Sequence, residues 1–294
     1  MLKYIKEWER VTERIGCWLD MENPYKTLDN GYIESCWWGI KQMWDKGLVY
    51  QGYKVTPHCP RCGTSLSSHE VALGYRDDAE DPSVYIKFKV AKSPGNLPGD
   101  KPVYFLAWTT TPWTLPGNTA LAVAPDAEYS VVDHGGGEYL LLASALRGLA
   151  GLEDCPVVGT LKGSELVKAT YIPLFNPHSF GVERSRPQGS GGGAAGGFRL
   201  QKPKKNLLYP VIAGDFVSME EGTGIVHIAP AYGEVDFEAG QAHLLDFVNT
   251  VDLQGKVIGT YPFAGRFVKD ADPLIISDLE SRGLLYRSGT ITHT

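Results

Sequence analysis

The sequence predicts an α+β fold that is mainly β, preceded by a helical segment. In residues 1–53, apolar side chains recur at helical spacing and leave the charged side chains on the opposite face. From residue 83 onward, short apolar runs alternate with a period of two residues or are bounded by Gly, Pro and Asp, as strands are. The length of 294 residues suits roughly two domains of about 150 residues each.

Two helices are predicted in residues 1–53. The first has an apolar face formed by Tyr4, Ile5, Trp8, Val11 and Ile15. The second is expected to begin after Asp29 as its N-cap and to end before Gly47. Its apolar face is formed by Ile33, Trp37, Ile40 and Trp44. We interpret these tryptophans as core or docking residues rather than as a cofactor site.

The β region contains one especially regular run, residues 83–90, which places Val84, Ile86, Phe88 and Val90 on one face. Further strands are predicted at residues 103–108, 120–123, 129–132, 139–143, 207–213 and 224–228. A helix is predicted to begin near Glu234. Another is predicted with Asp272 as its N-cap, Pro273 as its first residue and Gly283 after its end.

The composition excludes several classes of protein. Hydrophobic residues make up 43% and charged residues 21%, which is ordinary for a globular chain and excludes wholesale disorder. No apolar run approaches the roughly 20 residues of a membrane helix, and the charged N-terminus lacks the apolar segment of a signal peptide. The net charge of −6 does not favour general electrostatic binding of nucleic acid, although a local patch stays open. We expect neither a membrane nor DNA as a partner.

Residues 176–206 interrupt the strand pattern. Within them, residues 189–197 read GSGGGAAGG, which is typical of a flexible, low-complexity linker. Lys202, Lys204 and Lys205 follow. We predict an exposed insertion whose lysines are solvated, with a phosphate contact as the alternative.

Cys59 and Cys62 form a CxxC followed by Gly63, which is the pattern of a zinc knuckle. A structural zinc normally has four ligands, and no second CxxC occurs among the five cysteines of the sequence. His58 and His69 lie nearby, but their spacing singles out neither. We therefore predict half of a zinc site. The low cysteine count also favours a reducing, cytosolic setting over a disulfide scaffold.

A Thr-rich segment, WTTTPWTLPGN at residues 108–118, carries the first candidate chemistry. Four threonine hydroxyls follow a predicted strand, and the two prolines stiffen the turn. Gly117 permits a close approach of the backbone. Hydroxyls and free backbone N–H groups together suit a polar ligand or a developing oxyanion.

A second segment, residues 222–237, predicts a strand, a turn and the beginning of a helix. His227 lies in the strand and Asp236 near the helix N-terminus, where a carboxylate can hold an ammonium group. Alone, such a histidine is more often a core residue and such an aspartate a helix cap. The presence of the Thr-rich segment favours a binding role for both.

Together, these segments resemble the editing domain of class I isoleucyl-tRNA synthetases, the insertion called connective polypeptide 1. WTTTPWTLPGNTALAV and GTGIVHIAPAYGEVDF resemble its two signature segments. Residues 110–113 read TTPW, whereas the valyl and leucyl relatives usually carry Thr-Thr-Arg-Pro. Residues 16–20 and 37–38 resemble the catalytic half that leads into the insertion. The ATP-binding signatures HIGH and KMSKS do not occur in the sequence, so the resemblance implies an internal piece of a larger enzyme.

The resemblance also implies a domain organisation. Residues 1–53 would be a helical part of the Rossmann catalytic body, and residues 54–82 a zinc-knuckle-like connection. Residues 83–290 would form a β-barrel-like editing domain that carries the Gly-rich insertion.

By the same resemblance, Asp236, Thr110 and Thr111 are catalytic. Asp236 would pair with the α-ammonium of valine misattached to tRNA(Ile), and the threonines would bind the terminal adenosine and place the hydrolytic water. The implied substrate-binding residues are Trp108, Thr109, Thr114, Asn118 and His227. Among these, Trp108 and His227 would form the wall of the side-chain pocket, and Asn118 would support the loop. No side chain is assigned as a general base.

The implied partners are the 3′ acceptor end of tRNA(Ile) and the rest of the synthetase body, in the cytoplasm. Editing itself would need no cofactor, and ATP would be used only by the full-length enzyme. A structural zinc on Cys59 and Cys62 would be completed by residues outside this chain.

Other interpretations stay open. One alternative is a non-catalytic zinc-knuckle β domain that binds tRNA or a protein partner, but the intact Thr-rich and Asp236 segments argue against this. A second alternative is that the chain is the editing domain of a valyl or leucyl relative. A complete ligase is disfavoured by the missing HIGH and KMSKS segments.

Overall fold

The fold is that of a computed structural model, which describes residues 2–50, 52–72, 78–92, 97–188 and 197–293. Residues 189–196 of the predicted Gly-rich linker lie outside the described residues. The chain divides into two compact units, one formed by residues 1–51 and the other by most of residues 52–294.

The first unit contains the two helices that the sequence predicts, α1 (Ile5–Arg14) and α2 (Asn30–Asp45), with a short 3-10 turn at Leu2–Tyr4. Asp29 occupies the N-cap position of α2 as predicted. Gly47 follows the C-cap with φ of +69°, a left-handed conformation that favours glycine. Neither helix buries a residue, so the apolar faces that carry Trp8 and Trp37 are exposed in this chain.

The second unit begins with a hairpin of β1 (His58–Cys59) and β2 (Thr64–Ser65) and the short α3 (Ser68–Ala72). Its main sheet is built from β3 (Ala79–Lys92), β4 (Val103–Thr109), β5 (Ala120–Val123), β6 (Glu128–Asp133), β7 (Tyr139–Ala143), β8 (Val157–Lys162), β9 (Thr170–Tyr171), β12 (Tyr209–Ala213), β13 (Ile225–Ile228) and β14 (Leu285–His293). A second hairpin pairs β10 (Ser185–Pro187) with β11 (Phe198–Leu200). The helices of this unit are completed by α4 (Gly163–Leu166), α5 (Glu234–Ala242) and α6 (Val268–Ser281).

The main sheet runs in the order β13-β5-β12-β9-β3-β4-β7-β6-β8, and β14 also pairs with β3. The mainly β class is therefore confirmed. The expected barrel is not, because no pairing joins β13 to β8 among the described strands. β3 pairs with β14 along residues 79–86, with β4 along residues 84–89, and with β9 at Val90 and Lys92, where the register shifts. Among the described strands, β13 pairs with β5 alone and β8 with β6 alone, so the sheet ends at these two strands.

The core follows the predicted alternation along β3. Val84, Ile86 and Phe88 are buried in the main apolar cluster, and Val90 packs at its edge. Tyr85 points the other way, into a second cluster. Because both faces of the central strands are covered, β3 to β7 are rich in buried residues.

One predicted helix boundary is wrong. Asp272 does not cap a helix, because α6 begins at Val268 with Phe267 as its N-cap. Asp272 is instead a buried residue inside α6, and its carboxyl group bonds to another element, as described below. Gly283 does follow the helix end, with φ of +67°. Within the described residues, none of the helices has the length and apolar character required to cross a membrane.

The start of α4 provides a test of the packing. A Cβ at Gly163 would lie 1.9 Å from the Ala124 carbonyl oxygen, whereas a Cβ at Gly148 would meet nothing within 4 Å. Gly163→Ala should therefore lower the free energy of unfolding by roughly 1–3 kcal/mol or more, because backbone must move. Gly148→Ala is the matched control and should change it by less than about 1 kcal/mol. Urea unfolding followed by circular dichroism measures both, and equal midpoints for the two variants would contradict this packing.

Candidate functional site

The Thr-rich segment turns at the end of β4. The strand ends at Thr109, and a 3-10 helix, Pro112–Gly117, begins with a proline, which suits the first helical position. Thr109 and Thr114 are buried, and Thr110 and Thr111 are half-buried. The turn thus collects four hydroxyls at one end of the strand, as the sequence predicts.

Three of these hydroxyls, those of Thr109, Thr111 and Thr114, form a chain that ends on a histidine ring. Thr109 Oγ1 lies 3.3 Å from Thr111 Oγ1, which lies 3.4 Å from Thr114 Oγ1. Thr114 Oγ1 in turn lies 3.0 Å from Nε2 of His227. The two segments that carry the predicted chemistry therefore meet, although 113 residues separate Thr114 from His227 along the chain.

The hydrogen bonds of Thr114 determine which nitrogen of His227 carries the proton. The Thr114 hydroxyl donates its single hydrogen to the carbonyl oxygen of Thr111 at 2.7 Å. It must therefore accept a hydrogen from His227 Nε2. The lone pair of the neutral ring is then on Nδ1, which is buried without a hydrogen-bond partner among the described residues.

The environment of His227 keeps its ring uncharged. Pairing of β13 with β5 places His227 opposite Leu121, where its ring is buried. Burial lowers the pKa of His227 from its ordinary value, and the negative charge of Asp236 opposes that shift. The ring is therefore neutral at pH 7 and does not compete with a bound cation for the Asp236 carboxylate.

Asp236 lies in the first turn of α5, close to the end of β13. Its Oδ2 accepts a hydrogen bond of 2.8 Å from the backbone N–H of Ala229, which ties the helix to the strand that carries His227. The side chain is half-buried. A carboxylate in the first turn is favoured by the helix dipole. Asp236 thus presents a fixed negative charge whose electrostatic effect reaches His227.

Asn118 follows the 3-10 helix and ties it to its neighbours. Its Nδ2 donates to the carbonyl oxygens of Ala120 and Ile228, at 2.9 Å and 3.4 Å, and its Oδ1 accepts from the Tyr171 hydroxyl at 2.5 Å. Both polar atoms of this buried amide are engaged by the protein. These contacts suit the supporting role that the sequence predicts, and its assignment to substrate binding stays a prediction.

Trp108 is not part of the hydroxyl chain. Its Nε1 donates to Ser83 Oγ at 2.8 Å, and its ring packs against the second apolar cluster. A Cβ added to Gly222 would lie 2.9 Å from this ring. Trp108 therefore contacts the beginning of the segment that carries His227, and its role in a pocket wall stays a prediction.

A cavity of about 600 Å³ borders both signature segments. Its lining includes Trp113 from the 3-10 helix and Ala231, Tyr232 and Phe237 from the region around the start of α5. The rings of Trp113 and Tyr232 meet edge to face with centroids 4.9 Å apart. Aromatic rings of this kind suit stacking with nucleobases.

One residue that contacts the Thr-rich loop is not predicted from the sequence. Asp272 of α6 accepts a 2.8 Å hydrogen bond from the backbone N–H of Trp113. Its second oxygen, Oδ2, is buried without a partner among the described residues. Burial raises the pKa of Asp272 to about 6, and the Trp113 N–H opposes this shift. The available signal, an aspartate before a proline, equally indicates a helix cap.

The cysteine pair lies on a tight hairpin. Gly63 donates its N–H to the Cys59 carbonyl at 2.8 Å. Hydrogen bonds from the Cys62 backbone and side chain lower the pKa of Cys59. The side-chain hydrogen bond with Cys59 raises the pKa of Cys62. His58 is engaged elsewhere, with Nε2 2.8 Å from the carbonyl oxygen of Leu253. In the described part of the chain, no group of three or more potential metal ligands is found. The half zinc site stays a prediction.

Comparison with known families identifies the relatives of this chain. The family model described as tRNA synthetases class I (I, L, M and V) matches residues 1–252. An isoleucine–tRNA ligase from Dehalococcoides mccartyi is 52% identical over 304 aligned residues, which cover 100% of this chain and 29% of that protein. The isoleucine–tRNA ligase of Thermus thermophilus is 44% identical and covers 99% of this chain and 25% of its own length. The chain thus spans less than a third of these relatives.

A solved structure also resembles the fold. GlLeuRS-CP1, the CP1 part of a leucyl-tRNA synthetase, superimposes with a TM-score of 0.52 at 16% sequence identity. The match covers 70% of this chain and 99% of that structure. At this identity the similarity supports the fold alone.

The electrostatic link between His227 and Asp236 yields a direct test. Asp236→Asn should lower the pKa of His227 further, because the carboxylate charge that opposes the effect of burial is removed. In the wild-type chain the midpoint should already lie below about 6.5. Titration of the ring by two-dimensional NMR measures both values. Glu238→Gln, an exposed change on the same helix, is the control, and identical midpoints for wild type and Asp236→Asn would contradict the link.

Proposed function

Because the chain belongs to the class I tRNA synthetases and its curated relatives are isoleucine–tRNA ligases, we propose that it performs post-transfer editing. In this proposal it hydrolyses the ester of valine that has been attached to tRNA(Ile) by mistake. We also propose that the whole enzyme attaches isoleucine to tRNA with ATP. This chain corresponds to 29% of the length of one such relative.

The physical need for a second site comes from the similarity of the two amino acids. Valine is isoleucine without one methylene, so a pocket that admits isoleucine also admits valine. One methylene contributes only about 1–3 kcal/mol to discrimination, a value established on this same enzyme family. A separate site that admits valine and excludes isoleucine then removes the wrong ester.

Asp236 provides the anchor for the amino acid in this proposal. Its half-buried carboxylate is oriented by the Ala229 N–H and is available to an α-ammonium group. A charge-assisted hydrogen bond of this kind is about twice as strong as a neutral one, and it fixes the orientation of the ester. The combination of this carboxylate with the neutral His227 next to it is the observation that carries the proposal.

The threonines form the polar side of the proposed site. In this proposal Thr110 and Thr111, which are half-buried at the turn, bind the terminal ribose and the hydrolytic water. Thr109 and Thr114 hold this turn through their hydroxyls. In hydrolysis, water attacks the ester carbonyl, the bond to the ribose oxygen breaks, and valine and free tRNA result. We propose that the neighbouring ribose hydroxyl assists and assign no protein base.

His227 limits the size of the amino acid in this proposal. Its ring is fixed by the hydrogen bond to Thr114 and by the pairing of β13 with β5. A fixed, neutral ring excludes the extra methylene of isoleucine by volume, since a buried ring cannot easily move aside.

The proposed partners follow from this reaction. The 3′ acceptor end of tRNA(Ile) would enter at the aromatic cavity beside Trp113 and Tyr232. The exposed apolar faces of α1 and α2 would pack on the remaining synthetase body, and the reaction would take place in the cytoplasm.

Asp236→Asn separates the charge of Asp236 from its structural hydrogen bond. Asparagine retains an oxygen for the Ala229 N–H but loses the ion pair, so kcat/KM for hydrolysis of Val-tRNA(Ile) should fall by roughly 10- to 100-fold. Glu238→Gln on the exposed side of α5 should retain full activity. Release of labelled valine measures both rates. Full activity of Asp236→Asn at unchanged stability would refute the assignment.

His227→Ala tests the size limit. Removal of the ring should allow Ile-tRNA(Ile) to be hydrolysed at a rate within about tenfold of Val-tRNA(Ile), since the volume that excludes the methylene is lost. The same release assay with labelled isoleucine measures this. His243→Ala, which removes an exposed histidine at the end of α5, is the matched control and should still reject isoleucine. If His227→Ala leaves Ile-tRNA(Ile) intact while it hydrolyses Val-tRNA(Ile), another residue sets the limit.

A further inference from the structure

The buried carboxyl group of Asp272 in α6 accepts a hydrogen bond from the first backbone N–H of the 3-10 helix in the Thr-rich loop. A 3-10 helix leaves the N–H groups of its first turn without partners inside the helix. In Pro112–Gly117 the first residue is a proline and has no N–H, so Trp113 carries the first donor. Asp272 Oδ1 accepts this donor at 2.8 Å, across 159 residues of sequence.

Asp272 is itself held rigidly. It is 3% exposed, and the neighbouring positions of α6 that face inward, Ala271, Ile275 and Leu279, are buried in the main apolar cluster. The helix packs directly against the 3-10 helix. A carboxyl group fixed in this way determines where Trp113 can lie.

The position of Trp113 sets that of Thr114, the next residue. The Thr114 hydroxyl must stay within hydrogen-bonding distance of both Thr111 O and His227 Nε2. Because a side-chain hydrogen bond is lost by about 3.6 Å, movement of the helix start away from either partner weakens one of these bonds. The ring of Trp113, in edge-to-face contact with Tyr232, restrains the same residue from the other side.

We propose that Asp272 is a positioning residue for the Thr-rich loop, which holds Trp113 so that the Thr114 hydroxyl orients the ring of His227. It touches no substrate in this proposal and acts through the 3-10 helix. The consequence for catalysis rests on the proposed editing function, whereas the consequence for loop geometry does not.

The charges around Asp272 are few and identifiable. Lys269 on the same helix lowers its pKa and Asp81 of β3 raises it, and these two side chains form an ion pair with each other. The 3-10 helix has no titratable side chain. On β14, which also packs against α6, Tyr286 and Arg287 bond to the carbonyl oxygens of Ala150 and Leu149. Because the Trp113 N–H donates to Asp272, ionisation of Asp272 at about pH 6 should change the chemical shift of the Trp113 amide.

The first experiment uses the free chain and no substrate. Hydrogen exchange of the Trp113 and Thr114 amides is compared by NMR in wild type, Asp272→Leu, Asp272→Asn and Asp270→Leu. Asp270 is exposed on the same helix and provides the matched control. We expect at least tenfold faster exchange in Asp272→Leu, and near-wild-type exchange in Asp272→Asn, which retains an acceptor oxygen, and in Asp270→Leu. Unchanged exchange in a folded Asp272→Leu overturns the proposal.

A second measurement applies even if Asp272→Leu fails to fold. The Trp113 amide shift of the wild-type chain is followed from pH 5 to pH 8. A midpoint near the pKa of about 6, absent in Asp272→Asn, supports the proposal. A Trp113 amide that does not respond to pH in this range, or responds equally in Asp272→Asn, contradicts it.

The activity of the same variants separates this inference from the proposed function. Asp272→Leu should lower kcat for Val-tRNA(Ile) hydrolysis at least tenfold with a smaller change in KM, and Asp272→Asn should restore it. Wild-type kcat in Asp272→Leu overturns the catalytic part of the proposal. If the wild-type chain hydrolyses nothing, the editing function fails, and the two NMR measurements still decide whether Asp272 positions the loop.

Discussion

The hydrogen bond between His227 and Thr114 is the contact on which the candidate site depends. It joins a strand of the main sheet to the 3-10 helix that follows β4, across 113 residues of sequence. Thr114 can accept from His227 only because its own hydrogen is donated to the Thr111 carbonyl. The bond therefore fixes which ring nitrogen of His227 carries the proton. It also fixes the shape of the Thr-rich turn and the relative position of the two signature segments. Asn118 stabilises this arrangement by donating hydrogen bonds to the carbonyl oxygens of Ala120 and Ile228.

The candidate site combines one negative charge with a neutral ring and several hydroxyls. Burial keeps His227 neutral, and the threonines contribute dipoles but no charge. Asp236 thus supplies the negative charge next to the hydroxyl chain, in the first turn of α5, where the helix dipole favours it. The proposed recognition of a small aminoacyl ester depends on this one fixed anion, on the hydroxyls of the threonines and on the neutral ring of His227.

Local sequence patterns predicted the strands whose own apolar residues are sufficient to indicate a strand. The alternation of residues 83–90 gave β3, and the run at Ala120–Val123 became β5 with the same limits. The patterns missed β14, because Leu285–His293 is a largely polar run whose strand forms by pairing with β3 some 200 residues earlier. They also misplaced Asp272, since an Asp-Pro pair resembles a helix cap and only the tertiary contact with Trp113 shows its other use. The candidate site residues were predicted because their segments resemble a known family, whereas the open sheet could not be inferred from local signals.

In the proposed function, this site holds a valyl ester and excludes an isoleucyl one without help from the rest of the enzyme. The most direct measurement is calorimetric titration of the chain with non-hydrolysable valyl-adenosine and isoleucyl-adenosine analogues. We expect one molecule of the valyl analogue to bind per chain, and the isoleucyl analogue to bind at least tenfold more weakly. Equal affinity for the two, or no binding of the valyl analogue to the folded chain, would contradict it.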